Sequence, residues 1–370
     1  MSDGRPHVLI DGYELTASRH RGIGTYLRHL IAGLALEPDL RTSVLAAADV
    51  PLPDGVDRQT LGRPGPARWR DARHAARLPR AVRASSATVL HTPGRTLPKS
   101  VDRPWVHTLH DLTPLLIDHP ALARERQMWE RQAPRLRRAD AVITPSKATA
   151  DLAVERLGID PERITVIPHG VDPALRPGTE DDRAKDPPHL LWVSSWGPHK
   201  GLDDAIAVID ALADEGLPHH LRIVGWNDAW MTRQIDEAAR RARHPDRVHV
   251  DGWVPDVGAA YRAATALLVT SRSEGFCFPA AEALVCGTPV IAYDNTALPE
   301  LLGRGDGGSL VRDGDSRALA EAATAAVDMR HPAIAHPIAR APELTWERSV
   351  AAHQRILGAI ASRNRQPSGP

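Results

Sequence analysis

Two carboxylates, Glu274 and Glu282, flank a helix start in Ser273-Glu-Gly-Phe-Cys-Phe-Pro-Ala-Ala-Glu282. The run follows an apolar stretch, Ala264–Thr270, that reads as a buried strand. Pro279 stands where the helix begins, because its fixed φ suits the first turn and its missing N–H costs nothing there. The N–H groups of Ala280 and Ala281 are then expected to be free and to point back toward the strand ends. A helix terminus of this kind attracts phosphate. Glu274 falls in the loop and Glu282 about a turn deeper. Two acceptor-only groups beside a phosphate suit the hydroxyls of a sugar and a ribose. A turn residue and a solvent-facing helix residue fit the same spacing.

Three further segments bear on chemistry, and two of them place polar groups at strand ends. In Trp192-Val-Ser-Ser-Trp-Gly-Pro-His-Lys-Gly201 a strand ends in Ser194 and Ser195, and Lys200 arrives just before a helix. The helix dipole disfavours a cation there, so Lys200 needs an anion, and a diphosphate is one candidate. In Trp105-Val-His-Thr-Leu-His-Asp111 strand alternation puts Val106, Thr108 and His110 on one face, with His110 at the carboxyl end. Gly22-Ile23-Gly24 opens a long helix and lets backbone approach a ligand. It is not a dinucleotide fingerprint, since Leu27 occupies the third glycine position. Cys277 and Cys286 have no paired His at ligand spacing, so no metal site is expected. Neither a Gly-x-Ser-x-Gly nor a Gly-x(4)-Gly-Lys run occurs.

The elements that must position these residues alternate. Strands are expected at 7–11, 43–47, 88–91, 105–110, 141–144 and 164–167, with helices at 22–36, 67–83, 121–138 and 146–157. Periodicity is lost over the polar, Pro-rich run 172–188. A second series follows, with strands at 189–194, 221–224, 248–251, 266–270, 289–293 and 308–311. Its helices fall at 202–215, 229–242, 256–263, 279–285, 297–302 and 316–329, with a last one at 346–360. Strands separated by helices imply parallel sheets covered on both faces. The expected class is α/β, with two Rossmann-like parallel-sheet domains facing a cleft: 1–172, a linker 173–188, 189–345, and a terminal helical segment 346–370. Ligands of such sheets bind at the carboxyl ends of the strands.

Composition narrows the function. The 370 residues carry 46 basic and 46 acidic side chains, so no net field favours nucleic acid, and no nucleic-acid partner is expected. Residues 1–180 hold 26 basic and 21 acidic groups. Arg63–Arg83 contains seven Arg against one Asp, a solvated helix face or an anion- or membrane-facing patch. The start of the chain lacks a secretory pattern and no run reaches the ~18 apolar residues of a membrane span. The expected location is cytoplasmic, with peripheral contact at the inner membrane face resting on the arginine cluster. The chain has two Phe and two Cys, all within residues 276–286.

The blocks GIGTYLRHL (22–30), HDLTPLL (110–116), ADAVITPSKATADLAVERLGIDPERITVIPHGVD (139–172), PHKGLDDAI (198–206), GWVPD (252–256), EGFCFPAAEALVCGTPVIA (274–292) and LPEL (298–301) occur in this order. Together they resemble the retaining glycosyltransferases of family 4, which have the GT-B fold. The resemblance implies transfer of a sugar from a nucleotide diphosphate sugar, with retention and without metal or other cofactor. It implies that Glu274 contacts the donor sugar, Glu282 the ribose, and the backbone of Gly275, Phe276, Cys277 and Phe278 the sugar and diphosphate. Lys200 would serve the diphosphate, Ser195 would bind the donor, His110 would sit beside the transferred sugar, and Gly22, Ile23 and Gly24 would close on the diphosphate side. The last helix would cross back to the first domain.

Three positions depart from the family pattern. His199 precedes Lys200 where many members have Arg, two serines stand near an expected Arg, and Cys277-Phe278 replaces a common Gly-Leu. Charge neutralisation is thus expected to rest on Lys200 and helix termini, and Phe278 to narrow the sugar pocket. No carboxylate is an evident nucleophile, so front-face transfer without a covalent intermediate is expected. The first donor to consider is GDP-mannose, with UDP- and dTDP-sugars next. The acceptor is a glycan, a lipid-linked or a small-molecule hydroxyl. A sugar-nucleotide epimerase on the same fold and a non-catalytic nucleotide-sugar-binding protein are the alternatives.

Overall fold

The computed structural model describes residues 5–17, 22–60, 70–183, 188–195, 197–225, 229–303, 308–328 and 343–363. Arg63 and Arg68 of the arginine cluster, Trp196, linker residues 184–187, Met329 and the segment 364–370 lie outside them. The chain divides into two compact units. One comprises 1–115, 124–170 and 345–370, and the other 116–123 and 171–344.

The first unit is built on seven parallel strands: β1 (His7–Asp11), β2 (Arg41–Leu45), β3 (Asp57–Gln59), β4 (Val89–Thr92), β5 (Trp105–Thr108), β6 (Ala141–Thr144) and β7 (Ile164–Val166). Their order is β3-β2-β1-β4-β5-β6-β7. The chain walks outward from β1 to β3, then returns with β4 beside β1. That reversal opens a crevice at the carboxyl ends of β1 and β4. β3 escaped the sequence reading because Asp-Arg-Gln at a sheet edge has no apolar alternation. The helix Trp346–Arg363 packs in this unit. Gly33 lets it come close, since a Cβ there would lie 2.5 Å from a Val350 methyl.

The second unit has six parallel strands: β8 (His189–Val193), β9 (His220–Val224), β10 (Val248–Gly252), β11 (Ala266–Val269), β12 (Val290–Tyr293) and β13 (Gly308–Val311). The order β10-β9-β8-β11-β12-β13 puts the reversal between β8 and β11. The central strands are buried on both faces, so they read as continuous apolar runs. Leu190 and Trp192 face the helix Leu202–Asp214, while Leu191, Leu267 and Val269 face the helix Phe278–Val285. Within the polar run the structure places a single-turn helix, Glu180–Arg183. Thr179 and Asp182 cap it reciprocally, the Asp182 N–H donating to Thr179 Oγ1 and the Thr179 N–H to Asp182 Oδ2.

Candidate functional site

In the second unit the turns after β8 and β11 meet where the strand order reverses. Gly201 has φ +65°, and a Cβ there would lie 2.1 Å from the Thr270 carbonyl oxygen, so only glycine fits. The close approach is fastened twice. Thr270 Oγ1 donates to the Lys200 carbonyl at 2.9 Å, and the Arg272 N–H donates to the His199 carbonyl at 2.7 Å. Lys200 and Glu274 are thereby brought together, with Nζ 2.7 Å from Oε1. Their side chains are only 19% and 13% exposed. The anion that the sequence required for Lys200 is, in this state, Glu274.

The Glu274 loop is held from behind. Its N–H donates to Thr296 Oγ1 at 2.9 Å, and Asn295 Nδ2 donates to the Ser271 carbonyl. Thr296 sits at φ +42°, a backbone cost of roughly 1–3 kcal/mol that the surrounding bonds must offset. Cys277 is the other non-glycine residue of positive φ among the described residues, at +70°. It precedes the helix Phe278–Val285 directly. That geometry suits the glycine of the family pattern and makes Cys277 a strained departure, a residue with a Cβ where the backbone favours none.

The helix start differs from expectation, and the Ala280 N–H lies against the Cys277 thiol. The Ala281 N–H is not free, because it closes the first helical bond to the Cys277 carbonyl at 3.2 Å. Gly275, Phe276 and Cys277 are buried. Phe278 meets Phe276 edge to face, with centroids 5.2 Å apart, and packs on the apolar core. Burial holds both thiols protonated, that of Cys286 up to about 11. Ser195 follows β8, where its carbonyl accepts from Ser194 Oγ.

Glu282 is not a solvent-facing helix residue. It is partly buried and accepts a hydrogen bond from the Tyr261 hydroxyl at 2.8 Å. Burial pushes its carboxyl up to about 7, the Tyr261 bond opposes this, and Asp172 adds to it.

In the first unit β5 ends at Thr108, so His110 stands two residues beyond the strand. It lines a small pocket with Ile23, Gly94, Arg95, Asp111 and Glu125. Gly22 and Gly24 lie in the first turn of the helix Gly22–Ala35. His110 Nδ1 is 3.2 Å from His169 Nε2, and its ring stands edge-on to Tyr26 at 4.7 Å. Burial lowers His110 to about 4, which keeps it a neutral imidazole. The Tyr26 hydroxyl reaches Thr108 Oγ1 at 3.0 Å and His353 Nε2 at 2.9 Å. Thr108 also contacts His91 Nε2 at 2.8 Å.

Sequence reasoning missed Tyr26, Tyr261, Thr270, Thr296, His169 and His353 as supports. Each lies far in sequence from the residue it holds. Tyrosine scarcity was the available signal: the chain has four, and two of them bond or pack against candidate residues.

Comparison with known proteins bears on the family and the fold. The model described as Glycosyltransferase Family 4 matches residues 20–175, and that described as Glycosyl transferases group 1 matches 187–329. A D-inositol 3-phosphate glycosyltransferase of Acidothermus cellulolyticus is 30% identical over 291 residues, 72% of this chain. The chain spans only 63% of that relative's length. Sucrose-phosphate synthase of Thermosynechococcus elongatus superposes with a TM-score of 0.75 at 21% identity, over 97% of both chains. Anabaena HepE, solved with UDP and glucose, gives 0.66 at 18% identity, over 97% of this chain and 98% of its own. These structures share the two Rossmann-like parallel-sheet domains of the GT-B fold. The chain belongs to the family-4 glycosyltransferases of glycosyl transferase group 1.

Proposed function

We propose that the protein transfers a hexose from a nucleotide diphosphate sugar to an acceptor hydroxyl, with retention at the anomeric carbon. The observation that carries this reading is the Lys200–Glu274 pair, set at the reversal of strand order beside the helix Phe278–Val285. In this reading Lys200 leaves Glu274 for the diphosphate, where its point charge stabilises the leaving group. Glu274 is released to accept hydroxyls of the transferred sugar, and Glu282 takes the ribose. The backbone of Gly275–Phe278 and Ser195 line the donor, and Gly22, Ile23 and Gly24 serve the diphosphate. His110, being neutral, hydrogen-bonds the transferred sugar without adding charge.

The reaction needs no metal in this account, because Lys200 and the helix terminus supply the positive potential. The bond from the anomeric carbon to the diphosphate breaks as the acceptor oxygen attacks from the same face. The acceptor proton passes to the departing diphosphate. Positioning and electrostatics carry the rate. The transferred hexose to test first is mannose on GDP, followed by glucose on UDP, the ligands of HepE. A small polyol is the first acceptor to try, since the relative from Acidothermus cellulolyticus is named for D-inositol 3-phosphate. Glycans and lipid-linked sugars follow. No described helix is long and apolar enough to cross a membrane, so a lipid-linked acceptor would be met by peripheral contact.

The test is release of nucleoside diphosphate from GDP-mannose, UDP-glucose, dTDP-glucose and ADP-glucose, with and without acceptors. Release from one donor, stimulated by an acceptor and giving an α-linked product from an α-linked donor, supports the proposal. An inverted product, or an epimerised nucleotide sugar without acceptor, contradicts it.

A further inference from the structure

We propose that Tyr261 is a positioning residue for the donor: its hydroxyl holds Glu282 as an aligned carboxylate and leaves the second carboxylate oxygen for the donor's hydroxyls. The proposal rests on the donor-site reading of Glu282 given above.

Tyr261 lies on the helix Val257–Ala263 and is fully buried in the apolar core between that helix and Phe278–Val285. Its backbone is fixed by Thr288, whose Oγ1 donates to the Tyr261 carbonyl at 2.7 Å. Its hydroxyl donates to Glu282 Oε2 at 2.8 Å. Phenylalanine would fill the same space without the cost of burying a hydroxyl, so packing does not account for a tyrosine here. The bond to Glu282 does. It spends one lone pair of one oxygen and fixes the carboxyl plane, and an ionised carboxylate offers further acceptor sites.

The groups around Glu282 come from every neighbouring element. Asp172 follows β7 and disfavours the charge. Cys277 and Cys286 bracket the Glu282 helix, and both thiols are protonated by burial. Arg262 and Arg176 lie near Cys286. Among these, the Tyr261 hydroxyl is the group that hydrogen-bonds the carboxylate directly. Because burial already pushes Glu282 up to about 7, its ionisation near neutral pH depends on that bond. The carboxylate form is lost as pH falls through this value, and it is lost at a higher pH when the bond is removed.

The experiment measures donor binding by calorimetry at pH 6.5 and 8.5, a range in which the diphosphate of a nucleotide sugar does not titrate. The donor is whichever of UDP-glucose, dTDP-glucose, GDP-mannose and ADP-glucose raises the melting temperature of the unaltered chain. Tyr261→Phe is expected to weaken binding roughly five- to tenfold at pH 6.5, the size of one ordinary hydrogen bond lost. At pH 8.5 the difference shrinks to within about twofold, and kcat at saturating donor is unchanged. An equal loss at both pH values, or none at either, overturns the proposal. Glu282→Gln, with no carboxylate to titrate, separates the two readings. If it binds donor as tightly as the unaltered chain, or if no donor of the four binds, the donor-site reading falls and the role of Tyr261 with it. If it binds weakly while Tyr261→Phe shows no pH-dependent loss, only the role of Tyr261 falls.

Discussion

Lys200 Nζ lies 2.7 Å from Glu274 Oε1, and the two residues are supplied by turns after adjacent strands, 74 positions apart in sequence. Each neutralises the other in a setting largely closed to solvent. In the proposed function a diphosphate competes with Glu274 for Lys200. That competition separates binding from turnover in the two variants.

Glu274→Gln removes the competitor, so affinity for the bare nucleoside diphosphate should be unchanged or tighter. Turnover should fall about 100-fold or more, because the proposed contact to the transferred sugar is lost. Lys200→Ala should instead weaken nucleoside diphosphate binding by about tenfold or more, the worth of a close charge partner. Isothermal titration with the diphosphate, beside steady-state rates, reads both. Weaker diphosphate binding in Glu274→Gln would refute the competition.

Glu282 couples function to stability. Its carboxyl is raised to about 7 in the folded chain, chiefly by burial. A group raised on folding contributes stability below its unfolded value, and that contribution is lost as pH rises through the folded value. Without donor, Glu282→Gln should therefore be more stable than the unaltered chain at pH 8, by roughly 1–3 kcal/mol, with the advantage fading toward pH 5. Urea unfolding at the two pH values checks this. An advantage that grows toward pH 5 has the wrong sign.

The first unit should be acid-sensitive. His91, His107, His169 and His353 are buried around Tyr26 and Thr108, and burial is the largest cause lowering each. His107 falls to about 3 and His353 to about 4. Here the sign is opposite. The folded chain holds the neutral forms, so the stability is present above about pH 6.5 and is lost as pH falls below it. His353→Gln should unfold with about one fewer proton taken up between pH 6.5 and 5, read from the pH dependence of the unfolding free energy. An unchanged slope would count against a neutral, buried His353.

Cys277 carries a strained backbone at φ +70°. Cys277→Gly should stay within about 1 kcal/mol of the unaltered chain, since relief of strain offsets the lost thiol packing. Cys277→Val, β-branched at the same φ, should lose about 2 kcal/mol or more. Denaturant midpoints decide, and a Val variant as stable as the Gly variant would argue against strain at this turn.

The two sheets were legible because buried parallel strands leave apolar runs such as Val8–Ile10 and Ala266–Val269, and helices leave a stripe like Tyr26, Leu27, Leu30, Ile31 and Leu34. A cap is a local contact, as where Ser146 accepts from the Thr149 N–H three residues on. β3 was not legible, because an edge strand exposed to solvent needs no apolar face. The candidate residues Lys200, Glu274, Glu282 and His110 were found by their places at strand and helix ends. What holds them was not: Tyr261, Thr270 and Thr296 reach them across the fold, and spacing carries no record of such contacts. The left-handed Cys277 shows the same limit, since residue type alone argues against the conformation its neighbours impose.

In the proposed function Lys200 drives departure of a nucleoside diphosphate from a donor held by Glu274 and Glu282. The direct test is acceptor-stimulated release of nucleoside diphosphate, measured at saturating donor for the unaltered chain and for Lys200→Ala. Release is expected from the unaltered chain and a loss of about 100-fold or more in the variant, both assayed at a temperature where each remains folded. Near-normal release by Lys200→Ala would contradict this role.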